Sequence, residues 1–399
     1  MHNLARLPEK EVEERIAIFQ NTLQKNALDG ALLTQNIDIY YLTGTLQNGV
    51  LFIPCTGAPC FFVRKSVKRA AFETSLEVQP LQKSKRMAEV LKEKYGVIHH
   101  LGLEKDVLPM GLAERYMKWF PQAKVVDVAF MLRLQRAVKS PYEIRQLQQA
   151  AKRVNEVVIS IPHIIQENMT ELELSAKIEY ALRVQGNTGL FRMRGYNQEL
   201  VLGMVSSGYA AATPTYFDGP AGGLGVSIVN PQSASMKPIK RGEPILIDIS
   251  TVVEGYIIDQ TRMAVLGELD SELVVAYEEA KKIIREMEQC GKPGVSWQTL
   301  YQKALAMAEK AGLKEHFMGF GDDQAKFVGH GVGLELDELP ILANGFDQPL
   351  EVGMVIAIEP KFTFPDQGVV GIENTYLVTE NGLESLTFAN EDIIHIPVV

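Results

Sequence analysis

The chain has 399 residues, 46% of them hydrophobic and 22% charged, with a formal net charge of −9 at pH 7. These proportions belong to a globular protein and exclude disorder, collagen or a coiled coil as a description of the whole chain, while the length favours two domains. The acidic balance argues against nucleic acid or an anionic membrane as the main partner. With no apolar run of membrane-spanning length and no signal-type start, the expected compartment is the cytoplasm.

The first third alternates helix and strand patterns. Residues 11–26 carry apolar side chains at helical spacing, and ALLTQNIDIYYLTG reads as a strand and a turn. VLFIPC and PCFFVRK read as a hairpin of buried strands. Helices are expected at 87–95 and 111–120, with strands at VIHHLGLEK and KVVDV. The three cysteines, Cys55, Cys60 and Cys290, are too few and too odd in number for a disulfide framework, and free thiols are expected.

Ser140-Pro141-Tyr142-Glu143 opens a long helix, and a second covers 170–186. The stretch 187–240 is rich in Gly, Pro, Ser and Asn and reads as irregular segments able to line a cleft. Beyond it come a hairpin (PILIDIS, YIIDQTRMAVLG), helices at 271–289 and 297–311, and a second hairpin-like pair (MVIAIEPKF, VGIENTYLVTENG). The expected fold is α/β (α+β) in two domains. An N-terminal α/β domain covers residues 1–135. A C-terminal domain of mostly antiparallel sheet flanked by helices, with a weak internal repeat, covers 136–399.

Four acids break the strand pattern. Asp248 and Asp259 lie on the two arms of the first hairpin and Glu359 and Glu373 on the second pair, each directly after an isoleucine. His330 lies between the pairs in GHGVG. Carboxylates are seldom buried unless paired or bound to metal. Four facing each other would repel and hold protons, and divalent cations remove that repulsion. Oxygen-rich donors with one imidazole suit manganese, iron, cobalt or zinc, and two ions about 3.5–4 Å apart could share carboxylates and activate a bridging water. Read structurally, the same acids could be edge or turn residues and His330 a core histidine. A nucleotide loop is not supported, since neither GHGVG nor AGGLG has the strand–loop–helix order.

These motifs (LIDIS, DQTR, GHGVGLE, AIEP, GIENTYLVTENG) resemble those of the pita-bread metallopeptidases, the creatinase, prolidase, aminopeptidase P and methionine aminopeptidase group. IYYLTG and LRLQRAVKSPYEIRQLQQA resemble the N-terminal domain and linker of its creatinase and prolidase branch. The resemblance implies a metal-dependent hydrolase of Xaa-Pro dipeptidase or aminopeptidase type, acting on a small peptide through a metal-bridging hydroxide. It implies two divalent ions, manganese first, on Asp248, Asp259, His330, Glu359 and Glu373, with Glu359 also carrying the proton. It further implies a homodimer.

The chain departs from that pattern. Where such peptidases carry further histidines it has Lys326, four residues before His330, and Asp337, seven after it; upstream, the nearest match to a Pro-His is Pro231-Gln232. Gly371 stands where many relatives have Arg. Loss of a positioned acid or base costs roughly 10²–10⁴ in rate, so Lys326 and Asp337 become candidate catalytic groups. Gln232, Tyr209, Tyr216 and Phe217 become candidate substrate contacts. Two alternatives accompany the peptidase reading: a creatinase-like turn to another small amide or amidine, and an inactive binding module.

Overall fold

Apolar segments of the first 135 residues pair into one six-stranded mixed sheet, in the order Val78–Pro80, Cys60–Val63, Gly49–Pro54, Gly30–Leu33, His100–Leu103, Lys124–Asp127. The computed structural model describes residues 5–81 and 84–397, and the chain forms two compact units, Met1–Gln135 and Arg136–Val399. In the first unit the three strands between 30 and 63 are antiparallel neighbours, so the VLFIPC and PCFFVRK segments do form a hairpin. The outer strands join in parallel. Phe52, Phe62, Leu91 and Leu101 form its core.

One segment differs from expectation. IDIYYLT is a helix, Asn36–Thr43, not a strand and turn. The side chain of Gln35 accepts hydrogen bonds from the Ile37 and Asp38 amides, and Gly44 closes the helix at φ 76°. Burial of Ile37, Ile39, Tyr41 and Leu42 outweighs the strand preference of the β-branched residues.

The second unit opens with the helix Pro141–Ile164. Its start is fixed by a capping box, in which the Glu143 amide donates to Ser140 Oγ at 3.2 Å and the Ser140 amide to Glu143 Oε2 at 3.0 Å. Leu147, Val154, Val157 and Ile161 are buried along one face, each contributing about 1.5–3 kcal/mol when removed from water. This helix packs on the hairpin Ile245–Val253 and Tyr256–Leu266. That hairpin is the centre of a four-stranded sheet, completed by Gly203–Ser207 and Ile394–Ile396.

A second sheet has five antiparallel strands, ordered Glu338–Ala343, Phe327–Gly331, Val355–Ile358, Asn374–Thr379, Gly382–Ser385. A third is the ribbon of Lys361–Phe364 against Gly368–Gly371. MVIAIEPKF and VGIENTYLVTENG are therefore not continuous strands. Each leaves one sheet and enters another across a two-residue joint, Glu359-Pro360 in the first and Ile372-Glu373 in the second. Pro360 has no amide proton to continue a ladder. The two glutamates sit in these joints, with the Glu359 amide bonded to Val328 O at 3.0 Å and the Glu373 amide to Thr261 O at 3.4 Å. Among the described residues, no helix is long and apolar enough to cross a membrane.

Candidate metal and catalytic site

The three sheets of the second unit bring the five sequence-selected side chains together. Cross-strand register sets Ser250 opposite Asp259 and Asp248 opposite Thr261. Asp259 Oδ1 accepts from Ser250 Oγ at 2.9 Å and from the Gln260 amide at 3.0 Å, which orients the carboxylate. His330 is buried on Phe327–Gly331, the strand of the five-stranded sheet that lies between Glu338–Ala343 and the central Val355–Ile358. Its Nδ1 lies 3.1 Å from the carbonyls of Gly331 and Leu336 and 3.4 Å from Asp337 Oδ1. With Nδ1 directed at those acceptors, Nε2 faces the acids, 3.7 Å from Glu359 Oε1 and 4.0 Å from Glu373 Oε1. Ligating histidines are held in this way by a bond from the other ring nitrogen.

Thr261 and Arg262 build the wall behind Glu373. Thr261 Oγ1 donates to Glu373 Oε2 at 2.8 Å. Arg262, fully buried, donates to the carbonyls of Thr261 (2.7 Å) and Glu373 (2.9 Å) and to Asn374 Oδ1 (2.8 Å). Five bonds from one guanidinium tie the Glu373 joint to the hairpin and to the segment around Ala389 and Asn390.

Two triads offer donor atoms within 4.8 Å of one another: Asp259, His330 and Glu373, and Asp248, Glu359 and Glu373. The first has the features of a cation site. Glu373 Oε1 is buried and has no hydrogen-bond donor, and such an atom costs free energy unless a ligand meets it.

The second triad holds a side chain that the sequence reading did not include. Lys361 is fully buried, with Nζ 2.5 Å from Glu359 Oε2, 3.1 Å from Asp248 Oδ2 and 3.4 Å from Glu373 Oε2. A lysine between Pro360 and Phe362 in an apolar strand was the available signal.

The protonation preferences of these groups follow from the same surplus of negative charge. Burial, added to the carboxylates of Glu373 and Asp248, pushes Asp259 well above the usual carboxyl range. Burial raises Asp248 to about 6 against the opposing pull of the Lys361 ammonium. Burial would lower His330, but Asp337, Glu359, Glu373 and Asp259 outweigh it and raise the imidazole to about 9. The same balance holds Lys361 charged well above its ordinary value.

A cavity of about 70 Å³ lies over Asp248, Asp259, His330 and Glu359, and Asp337 also lines it. A larger one of about 550 Å³ shares with it the wall Phe217 to Ala221. Phe217 faces both, and Tyr216 lines the outer one. Gln232 is buried and does not line either cavity; its Nε2 donates to Tyr216 Oη and Glu199 O, both at 2.9 Å. Tyr209 is exposed, stands beside Lys237 and is outside both linings. Lys326 is exposed as well and lines neither cavity.

This fold and donor set define a metallopeptidase, and the comparisons agree. The pattern of metallopeptidase family M24 matches residues 145–380, and that of the creatinase/prolidase N-terminal domain matches 15–138. The chain belongs to metallopeptidase family M24. A relative described as Xaa-Pro dipeptidase, from Pyrococcus horikoshii, is 29% identical over 385 residues, covering 96% of this chain and 99% of that one. Among solved structures, the prolidase from Pyrococcus horikoshii superposes with a TM-score of 0.80 at 27% identity, covering 96% of this chain and 100% of that one. The Xaa-Pro dipeptidase from Bacillus anthracis gives 0.82 at 25%, with the same coverage. The second unit is thus a pita-bread domain, the protein is a hydrolase of the peptidase class, and a divalent metal is its expected cofactor.

Proposed function

We propose that this chain is an Xaa-Pro dipeptidase or aminopeptidase that cleaves a small peptide, with residues 136–399 as the catalytic domain and 1–135 as the creatinase/prolidase N-terminal domain. The observation that carries the reading is the orphaned Glu373 Oε1 beside Asp259 and His330, in a site whose outer cavity of about 550 Å³ suits a dipeptide or tripeptide. Manganese is the proposed ion, because the donors are carboxylate oxygens with one imidazole. The count of two that the family implies would need Asp248, Glu359 and Glu373 as the second set. When bound, the metal supplies Lewis acidity, polarising the scissile carbonyl and acidifying water.

The chain's own groups do the remaining work. Glu359 has one oxygen, Oε2, held by Lys361, so Oε1, on the His330 side, is the atom left to accept and return a proton. Phe217 and Tyr216 form the wall against which the peptide lies, and Gln232 positions the Tyr216 hydroxyl. Of the two charged groups replacing the expected histidines, Asp337 reaches the inner cavity and acts through His330; Lys326 has no place in this mechanism. A homodimer is proposed too, supported by Ile228 and Val229, apolar side chains 98% and 93% exposed in the single chain. A cytoplasmic location is supported by three free cysteines.

The test is hydrolysis of a panel of Xaa-Pro dipeptides and tripeptides by manganese-loaded protein, with Asp259→Asn as control. Turnover that disappears in the variant is expected. Loaded protein that leaves the whole panel intact would remove the Xaa-Pro assignment.

A further inference from the structure

The two triads differ in one respect that decides how many ions they can hold. In Asp259, His330 and Glu373 the buried Glu373 Oε1 has no donor. In Asp248, Glu359 and Glu373 an oxygen of every member lies within 3.4 Å of the Lys361 ammonium. A divalent ion ligated by those same oxygens at about 2.0–2.2 Å would have to occupy the space that Nζ fills, and two cations in one shell repel.

The lysine is built in. No solvent reaches its side chain, so it has no alternative path to water. Its strand partner is Gly371, where a Cβ would lie 2.5 Å from Lys361 Cγ and 2.6 Å from Pro360 O. No other residue type leaves room there for the lysine stem.

We propose that the Lys361 ammonium permanently replaces one of the two metal ions, so that the site is a one-metal, one-lysine centre with its ion on Asp259, His330 and Glu373. This rests on the metallopeptidase reading above and specifies its cofactor. Lys361 is the positioning cation: it fixes Glu359 Oε2 and keeps Asp248 neutralised without occupying an exchangeable site.

The test counts ions. Wild-type protein saturated with Mn²⁺ and freed of loose metal should contain one ion per chain by elemental analysis. Its electron paramagnetic resonance should show the hyperfine pattern of an isolated ion. Lys361→Met, which keeps the stem and removes the charge, should raise the content to two and give an exchange-coupled spectrum. Two ions on the wild type, none on it, or one on both proteins would each overturn the proposal. If the variant does not fold, the wild-type count and spectrum still decide. Xaa-Pro turnover is scored separately, so an active two-ion enzyme refutes the lysine centre alone, and an inactive one-ion protein refutes the substrate alone.

Discussion

Thr261 donates its hydroxyl to Glu373 Oε2 at 2.8 Å, across an isolated antiparallel bridge between the two residues. The bond settles which oxygen of Glu373 is spent on the scaffold and which, Oε1, is presented to Asp259 and His330. Thr261→Val keeps the shape and removes the donor. We expect a folded protein whose metal affinity falls roughly 10–100-fold, the usual effect of losing an outer-shell partner. Competition with a metallochromic chelator measures it, and an unchanged affinity would show that Arg262, Lys361 and the backbone bridge hold Glu373 without the hydroxyl.

Phe217 lines both cavities, so it should contribute to substrate binding and not to metal binding. Phe217→Ala removes about 1–2 kcal/mol of apolar contact, a rise in KM of roughly 5- to 30-fold. Metal content should stay as in the wild type. A fall in kcat with KM unchanged would instead assign the ring to the chemical step.

Glu338 tests a different part of the second unit. Its carboxylate is buried with Arg136 and Lys139, the latter at 2.8 Å. Burial alone would raise its pKa, but the two cations bring it down to about 2. A carboxyl lowered from 4.5 stabilises the fold above pH 4.5 and loses that contribution as pH falls through 2. The magnitude is about 3 kcal/mol, and Glu338→Gln, which also takes the carboxylate partner from buried Lys139 while Arg136 keeps Glu335, should cost about 3–5 kcal/mol at pH 7. Denaturant titrations should show the gap between the two proteins closing as pH drops toward 2. A constant gap would mean that packing and not charge is responsible.

In the first unit the sign reverses. Burial, then the nearby carboxylate of Asp38, pushes Glu104 well above 4.5, and the amides of Thr34 and Gln35 offset only part of this. A raised carboxyl binds its proton more tightly in the folded state, so stability falls as pH rises past 4.5, by at most about 1.4 kcal/mol per pH unit. Glu104→Gln should therefore gain on the wild type between pH 5 and pH 8 in urea unfolding. Parallel curves would show that Glu104 is ionised when folded.

The reach of sequence reasoning follows from the range of the interactions. Acids placed after isoleucines in apolar strands are a local anomaly, and that pattern points to four of the five side chains that the structure gathers, His330 in GHGVG being the fifth. The long helix at Pro141 was equally legible, because its capping box lies within four residues. The Asn36–Thr43 helix was not, since burial overrode local preference. Nor was the division of the Glu359 and Glu373 segments among sheets, which depends on partners far along the chain. Lys361 was passed over because strand position does not say what a long side chain meets. Lys326 stands where relatives carry a histidine and Tyr209 lies in the segment before the hairpin, and neither position along the chain brings its side chain to the cavities.

The two-residue joints at Glu359-Pro360 and Ile372-Glu373 mean that no single sheet owns the site. Its donors come from all parts of a span reaching from Asp248 to Glu373, with the helices Ser271–Cys290 and Trp297–Lys310 formed between them. An unfolded chain has nothing resembling this geometry, so the ion is a ligand of the native state alone. At a free concentration one hundred times its dissociation constant it would add about 2.7 kcal/mol to the unfolding free energy. Metal supply would then regulate how long the protein survives as well as how fast it works.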